Sequence, residues 1–167
     1  MPIKRILVPV DFSEDSLRAL SYGSEFAKLF GAELLLLYVV EPIYYAAPAD
    51  MYAAASPNVA MLLDEQRRIG TDQLTRLVTQ LKKKGQRTRA MVKTGSASQG
   101  IIDTAKSTRA DLIIMATHGR TGLAHMLMGS VAEKVVRSAS CPVLTVRRAV
   151  TKRPKARRKP APAAKRR

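Results

Sequence analysis

Cys141 is the only cysteine in this 167-residue chain. A single thiol closes no internal disulfide, and a reducing, cytoplasmic location is expected. Long apolar runs are missing too. The longest, Leu34 to Val40, has the length of a strand, well short of the roughly 18–20 residues that span a bilayer, so no transmembrane segment is expected. The first residues, Met1-Pro2-Ile3-Lys4-Arg5, lead into no apolar stretch with a small-residue cleavage site, and no signal peptide is expected. Histidine occurs only as His118 and His125, with no cysteine or carboxylate at ligand spacing, which gives metal binding little support.

Acidic residues are absent from one whole stretch. Of 29 Lys and Arg, eleven lie from Arg147 to Arg167, where no Asp or Glu stands. The other eighteen face all 13 acids over residues 1–146, so that part nets +5 of the chain's +16. The chain thus divides into a mildly basic domain, residues 1–148, and a strongly basic tail, residues 149–167. The tail is almost entirely Lys, Arg, Pro and Ala without apolar period. It buries too little to offset the entropy of ordering, and is expected to be disordered and extended. Its cations suit non-specific binding of a polyanion such as nucleic acid, or docking on an anionic membrane surface. A solvated tail that aids solubility is the plain alternative.

What is present is material for a core, with hydrophobic residues at 46%. Short, nearly continuous apolar runs occupy Arg5 to Val10, Glu33 to Val40, Asp111 to Ala116 and Pro142 to Val146, with a more polar one at Arg87 to Val92. Such runs suit strands covered on both faces. Helical patterns separate them. Leu17, Leu20, Tyr22, Phe26, Ala27 and Leu29 share a stripe that Gly31 stops. Ser56-Pro57 opens a helix with Leu62, Ile69, Leu74, Leu77, Val78 and Leu81 as apolar positions, ended by Lys82-Lys83-Lys84-Gly85. Gly100 to Thr108 forms a third, and Ser130-Val131-Ala132-Glu133 reads as a capping box opening a fourth. The order β-α-β-α-β-α-β-α-β predicts an open five-stranded parallel sheet with helices on both faces, and ligands at the carboxyl ends of the strands.

Two strand ends carry chemistry. The first reads Pro9-Val10-Asp11-Phe12-Ser13, where Asp11 can accept hydrogen bonds from a ribose or from backbone amides; helix capping by Asp11 or Ser13 is the competing reading. The fourth reads Ala116-Thr117-His118-Gly119-Arg120-Thr121-Gly122, then Leu123 to Met128, then Gly129-Ser130. Glycines there admit close backbone approach, and Gly129-Ser130 opens a helix whose free N–H groups favour an anion. A surface loop with Ser130 as N-cap fits the same residues.

Pro9-x-Asp11, Tyr38-Val39-Val40, Asp111 to Met115 before the glycine loop, and Ser130-Val131-Ala132-Glu133 leading to Ser140-Cys141-Pro142-Val143-Leu144 resemble the universal stress protein family in this order, over about Lys4 to Arg147. The resemblance implies a Rossmann-like, adenine nucleotide alpha hydrolase-like fold and a stress-response module that binds ATP, with Mg2+ as accompanying ion. It places Pro9, Val10, Asp11, Val39, Ala116, Gly119, Arg120, Gly129, Ser130 and Val131 around the nucleotide. Backbone at Val39 would meet adenine and Asp11 the ribose side. Gly119, Gly129, Ser130 and Val131 would meet the phosphates, with Arg120 neutralising charge. The ATP-binding branch carries Gly-x-x-Gly, nine residues, then Gly-Ser or Gly-Thr. Here Gly119, the nine residues Arg120 to Met128 and Gly129-Ser130 match, while Ala116 replaces the first glycine. Alanine would forbid binding where a positive φ or contact with the ribose is required. In the family the last strand, Pro142 to Val146 here, commonly pairs across a two-fold axis to form a homodimer. An interaction module with an empty pocket is the alternative to a nucleotide-binding one. No catalytic base is evident beside the loop, so ATP is expected as a regulatory ligand, with slow turnover at most.

Other motifs carry less. Ser96-Ala97-Ser98-Gln99-Gly100 approaches a nucleophile elbow, with Asp111 and His118 following in hydrolase order, but its first glycine is missing. Gly95 to Gly100 lacks the Lys-Ser/Thr of a P-loop. Cys141 reads as a small buried residue, and Met126 and Met128 as packing residues. The Ala-, Pro- and Tyr-rich segment 41–56 is either a lid or an inert loop.

Overall fold

The computed structural model describes residues 2–42, 57–119 and 128–147. Along them run β1 (Arg5–Pro9), α1 (Glu14–Phe30), β2 (Glu33–Val40), α2 (Pro57–Lys83), β3 (Thr88–Thr94), α3 (Ala97–Thr108), β4 (Leu112–Ala116), α4 (Ser130–Ser138) and β5 (Val143–Val146). The strands pair in parallel as one sheet, ordered β3-β2-β1-β4-β5. The order reverses between β1 and β4, which sets the switch point where ligands bind in such sheets.

The continuous apolar runs have a simple cause. Successive strand side chains point to opposite faces, and both faces are covered. Ile6, Val8, Leu34, Leu36, Ile114 and Ala116 enter one core with Ala19, Leu20 and Ala27 of α1 and Leu74 and Leu81 of α2. Leu7, Leu35, Leu37, Ile113 and Met115 enter a second with Ile101 and Ala105 of α3 and Ala132 and Val135 of α4. Each buried Leu or Ile contributes about 1.5–3 kcal/mol. Among the described residues no helix is long and apolar enough to cross a membrane.

Helix ends follow their local chemistry. Ser13 caps α1 by accepting from Ser16 N, Glu14 and Asp15 occupy the first turn, and Gly31 ends the helix at φ 62°. Lys82 and Lys83 close α2, and Gly85 comes next but one at φ 75°.

Several expectations need correction. The inward stripe of α2 runs through Leu63, Gln66, Gly70, Leu74, Leu77, Val78 and Leu81, while Leu62 and Ile69 are exposed at 57% and 44%. Gly70 sets this phase, because its missing side chain lets the helix lie against the buried Tyr38 ring. Helix α3 starts at Ala97, three residues before Gly100, where Glu41 Oε1 accepts from Ala97 N at 2.8 Å. The capping box at Ser130 does not form. Gly129 is the N-cap, no side chain caps it, and Ser130 is the first helical residue. The last strand starts at Val143, with Pro142 outside it lending its carbonyl to Ile113 N at 3.0 Å.

Asp111 ties the sheet together at its amino edge. Its Oδ2 accepts from Lys4 N at 2.8 Å and Arg5 N at 2.9 Å, fastening the start of β1 beside β4. Asp111→Ala strands these donors and is expected to cost about 1–3 kcal/mol. Urea denaturation should show the midpoint falling at unchanged m; an unmoved midpoint rejects the tie. Cys141 lies half-buried against the second core, where burial and then the Asp111 carboxylate push its thiol up, away from the reactive thiolate.

Candidate functional site

The switch point brings three segments together at the carboxyl edge. From β1 come Pro9, Val10 and Asp11. From β4 come Ala116, Thr117, His118 and Gly119. From the foot of α4 come Gly129, Ser130 and Val131. Arg120, together with His125 and Met126, lies outside the described residues, as do residues 43–56 and 148–167.

Asp11 is held in place by Ser13 and Ser16. Its Oδ1 accepts from Ser13 N at 3.0 Å and from Ser13 Oγ at 2.6 Å, while its own N–H donates to Ser16 Oγ at 3.3 Å. Ser13 is therefore both the cap of α1 and the anchor of Asp11, so the capping and site readings coexist. The other carboxylate oxygen points at the β4 loop: a Cβ on Gly119 would lie 2.7 Å from Asp11 Oδ2. Glycine at 119 thus lets the loop backbone close onto the β1 end.

Gly129 serves a different purpose. Its φ of −74° is open to any residue. Its N–H donates to Thr117 O at 2.7 Å, and a Cβ would sit 3.0 Å from that same oxygen. Gly129 therefore spends its donor on β4 and contributes closeness. The donors facing outward begin at Ser130, in the first turn of α4, where helix N–H groups have no partner within the helix. His118 Nδ1 lies 3.0 Å from the hydroxyl of buried Thr117, the donor depending on the ring tautomer.

Val39 faces the same gap through its backbone. β1 pairing ends at Pro9 opposite Leu37, whereas β2 continues against β3 to Val40. Leu37 O accepts from Val10 N, and Val40 O from Gly95 N. By strand alternation the Val39 peptide groups then point to the β1 side, past the end of β1. Its side chain turns to the second core, beneath Gly100 of α3. Ala116 ends β4 opposite Val146, with its methyl in the first core and no positive φ. The backbone condition that would demand glycine at 116 is absent.

Sequence reasoning missed Phe12. It sits at φ 64°, a rare conformation for a bulky residue, and its ring meets Tyr38 at 5.0 Å between centroids. No residue type in Asp11-Phe12-Ser13 signals a left-handed turn. Glu41 at the start of α3 was missed as well. The hydrolase arrangement is not assembled. Asp111 lies at the amino edge and His118 beyond the carboxyl edge, more than about 20 Å away along β4, and Ser98 is buried in the first turn of α3. Among the described residues no three of His, Cys, Asp and Glu stand together to hold a metal ion.

A family model described as the universal stress protein family matches residues 2–147. Universal stress protein MJ0531 of Methanocaldococcus jannaschii is 34% identical over 146 residues, covering 87% of this chain and 82% of that protein. The solved universal stress protein UspA from Lactobacillus plantarum superposes with a TM-score of 0.77 at 27% identity, covering 88% of this chain and 99% of its own. A universal stress protein from Archaeoglobus fulgidus, solved in complex with dAMP, shares the fold with a TM-score of 0.57 at 21% identity, over 87% of this chain and 98% of its own.

Proposed function

This chain belongs to the universal stress protein family, and from that premise we propose that its switch-point cleft holds an adenine nucleotide, ATP, as a regulatory ligand in a cytoplasmic stress response. The observation that carries the reading is one convergence. The outward donors of α4, the fixed Asp11 carboxylate and the β1-facing backbone of Val39 meet at one edge, with Gly119 and Gly129 keeping the approach clear. These groups match the parts of a nucleotide: phosphate at the helix terminus, ribose at the carboxylate, base edge at the strand backbone. A relative of the same fold captured with dAMP supports an adenine nucleotide as the ligand class.

Mg2+ would travel with the phosphates, completing its shell with water and at most the Asp11 carboxylate, the usual habit of a cation that dehydrates reluctantly. The described residues supply no general base aimed at the phosphate end, so nucleotide occupancy selects a conformation and turnover is slow.

A second reading concerns partners. β5 has only β4 beside it, and Val143, Leu144 and Thr145 remain half-buried on an open edge. Such an edge invites a second copy across a two-fold axis. In the same reading residues 149–167 append a polycation that binds nucleic acid or another polyanion without base specificity.

Ala116 decides between occupied and empty pockets. With no backbone requirement for glycine there, the native chain should bind ATP and Ala116→Gly should change its affinity by less than about threefold. Equilibrium dialysis with labelled ATP measures both. Affinity present only in Ala116→Gly assigns the native protein to an interaction role.

A further inference from the structure

The sequence presents the glycine loop and the basic tail as separate features. The sheet brings them together. Ala116 pairs with Val146. Thr117, the next residue of β4, donates its N–H to Val146 O at 3.1 Å, and its carbonyl accepts from Gly129 N at 2.7 Å. The foot of α4 is therefore two hydrogen bonds from the end of β5. Arg147 comes immediately after, exposed, as the first of eleven cations unopposed by any acid.

The site itself is short of positive charge. The segments that build it, residues 9–13, 116–119 and 128–133, hold two carboxylates, Asp11 and Glu133, and no Lys or Arg. The outward N–H groups of α4 supply only partial charge, about half a unit. Glu133 is engaged at 3.3 Å by Arg137 on the exposed side of α4. A polyphosphate placed there needs cations from elsewhere in the chain.

We propose that the cations of residues 147–167 act in cis as the counter-charge for the nucleotide phosphates, so that the tail sets a preference for ATP over AMP. This rests on the nucleotide reading above. Reach is sufficient: five residues past Arg147, Lys152 can extend up to about 17 Å from it. Tethering beside the site keeps the charge at roughly millimolar effective concentration. Coulombic attraction acts over the Debye length of about 8 Å at physiological salt, and it grows with each phosphate added. An external polyanion draws on the same cations, so it and ATP compete for them.

The test is a full-length variant in which the ten Lys and Arg of residues 148–167 are replaced by Gln. Labelled AMP, ADP and ATP are titrated against it and the native chain, with thermal unfolding as a check on the domain. ATP affinity should fall about tenfold at low salt and AMP affinity by less than about twofold, with the gap closing near about 0.5 M salt. Equal ATP affinity in the two proteins, or equal losses for AMP and ATP, overturns the tail's role while leaving the nucleotide site standing. A native chain that retains no nucleotide at all overturns both.

Discussion

Gly129→Val should abolish most ATP retention, lowering affinity by about a hundredfold in equilibrium dialysis. The cause is steric. Valine adopts the Gly129 dihedrals readily, since φ is −74° and ψ 155°. Its Cβ, however, would lie 3.0 Å from Thr117 O, the atom that the Gly129 N–H holds at 2.7 Å. That neighbour is backbone and cannot swing aside. The two branches on Cβ add further crowding, so the foot of α4 must move off β4. A displacement of an ångström misaims the Ser130 and Val131 donors. The helix itself should survive, because its inward face rests on Ala132 and Val135 in the second core. Circular dichroism should therefore be unchanged while binding disappears. Undiminished ATP retention in the valine variant would remove the phosphate site from α4.

The second large effect is on stability, and its sign opposes helix propensity. Gly70→Ala in the middle of α2 should gain about 1 kcal/mol on propensity alone. The structure places the added methyl 2.1 Å from Tyr38 Cε1 and 2.3 Å from Cδ1. Tyr38 is buried and braced on its other side by Phe12. Such overpacking costs about 1–3 kcal/mol beyond the gain it offsets, and a net loss near 2 kcal/mol is expected. Urea denaturation of Gly70→Ala, Tyr38→Leu and the double variant completes the cycle. In the Tyr38→Leu background the alanine should become neutral or stabilising. A more stable Gly70→Ala in the native background would show that helix and ring are not in contact.

These two glycines also mark where the sequence was readable. β2 was legible end to end, because Glu33–Val40 is a run that only a doubly covered strand explains. Gly31 and Gly85 were legible as helix stops, and both take the left-handed backbone that favours glycine. The phase of α2 was not. Its inward positions include Gln66 and Gly70, which carry no apolar signal, whereas the outward Leu62 and Ile69 do. Periodicity then points a helix the wrong way by about one residue. The foot of α4 slipped similarly: Gly and Ser both suit an N-cap, and the hydrogen bond from Gly129 to Thr117 chose between them. Phe12 is the plainest failure, since its left-handed turn is imposed by Tyr38, Ser13 and the ends of β1 and α1 rather than by its own preference.

Leu35 and Leu36 are neighbours in the chain and strangers in the fold, one loading the layer of α3 and α4, the other that of α1 and α2. The sheet is a partition, and the two layers share little beyond its backbone. At the carboxyl edge that partition ends. Asp11 is fixed through Ser13 to the start of α1, and the outward donors belong to α4, so the two sides of the cleft belong to opposite layers. A ligand seated there is a rivet through the partition: neither half of the protein can loosen without giving up the ligand, and each half registers the state of the other through it.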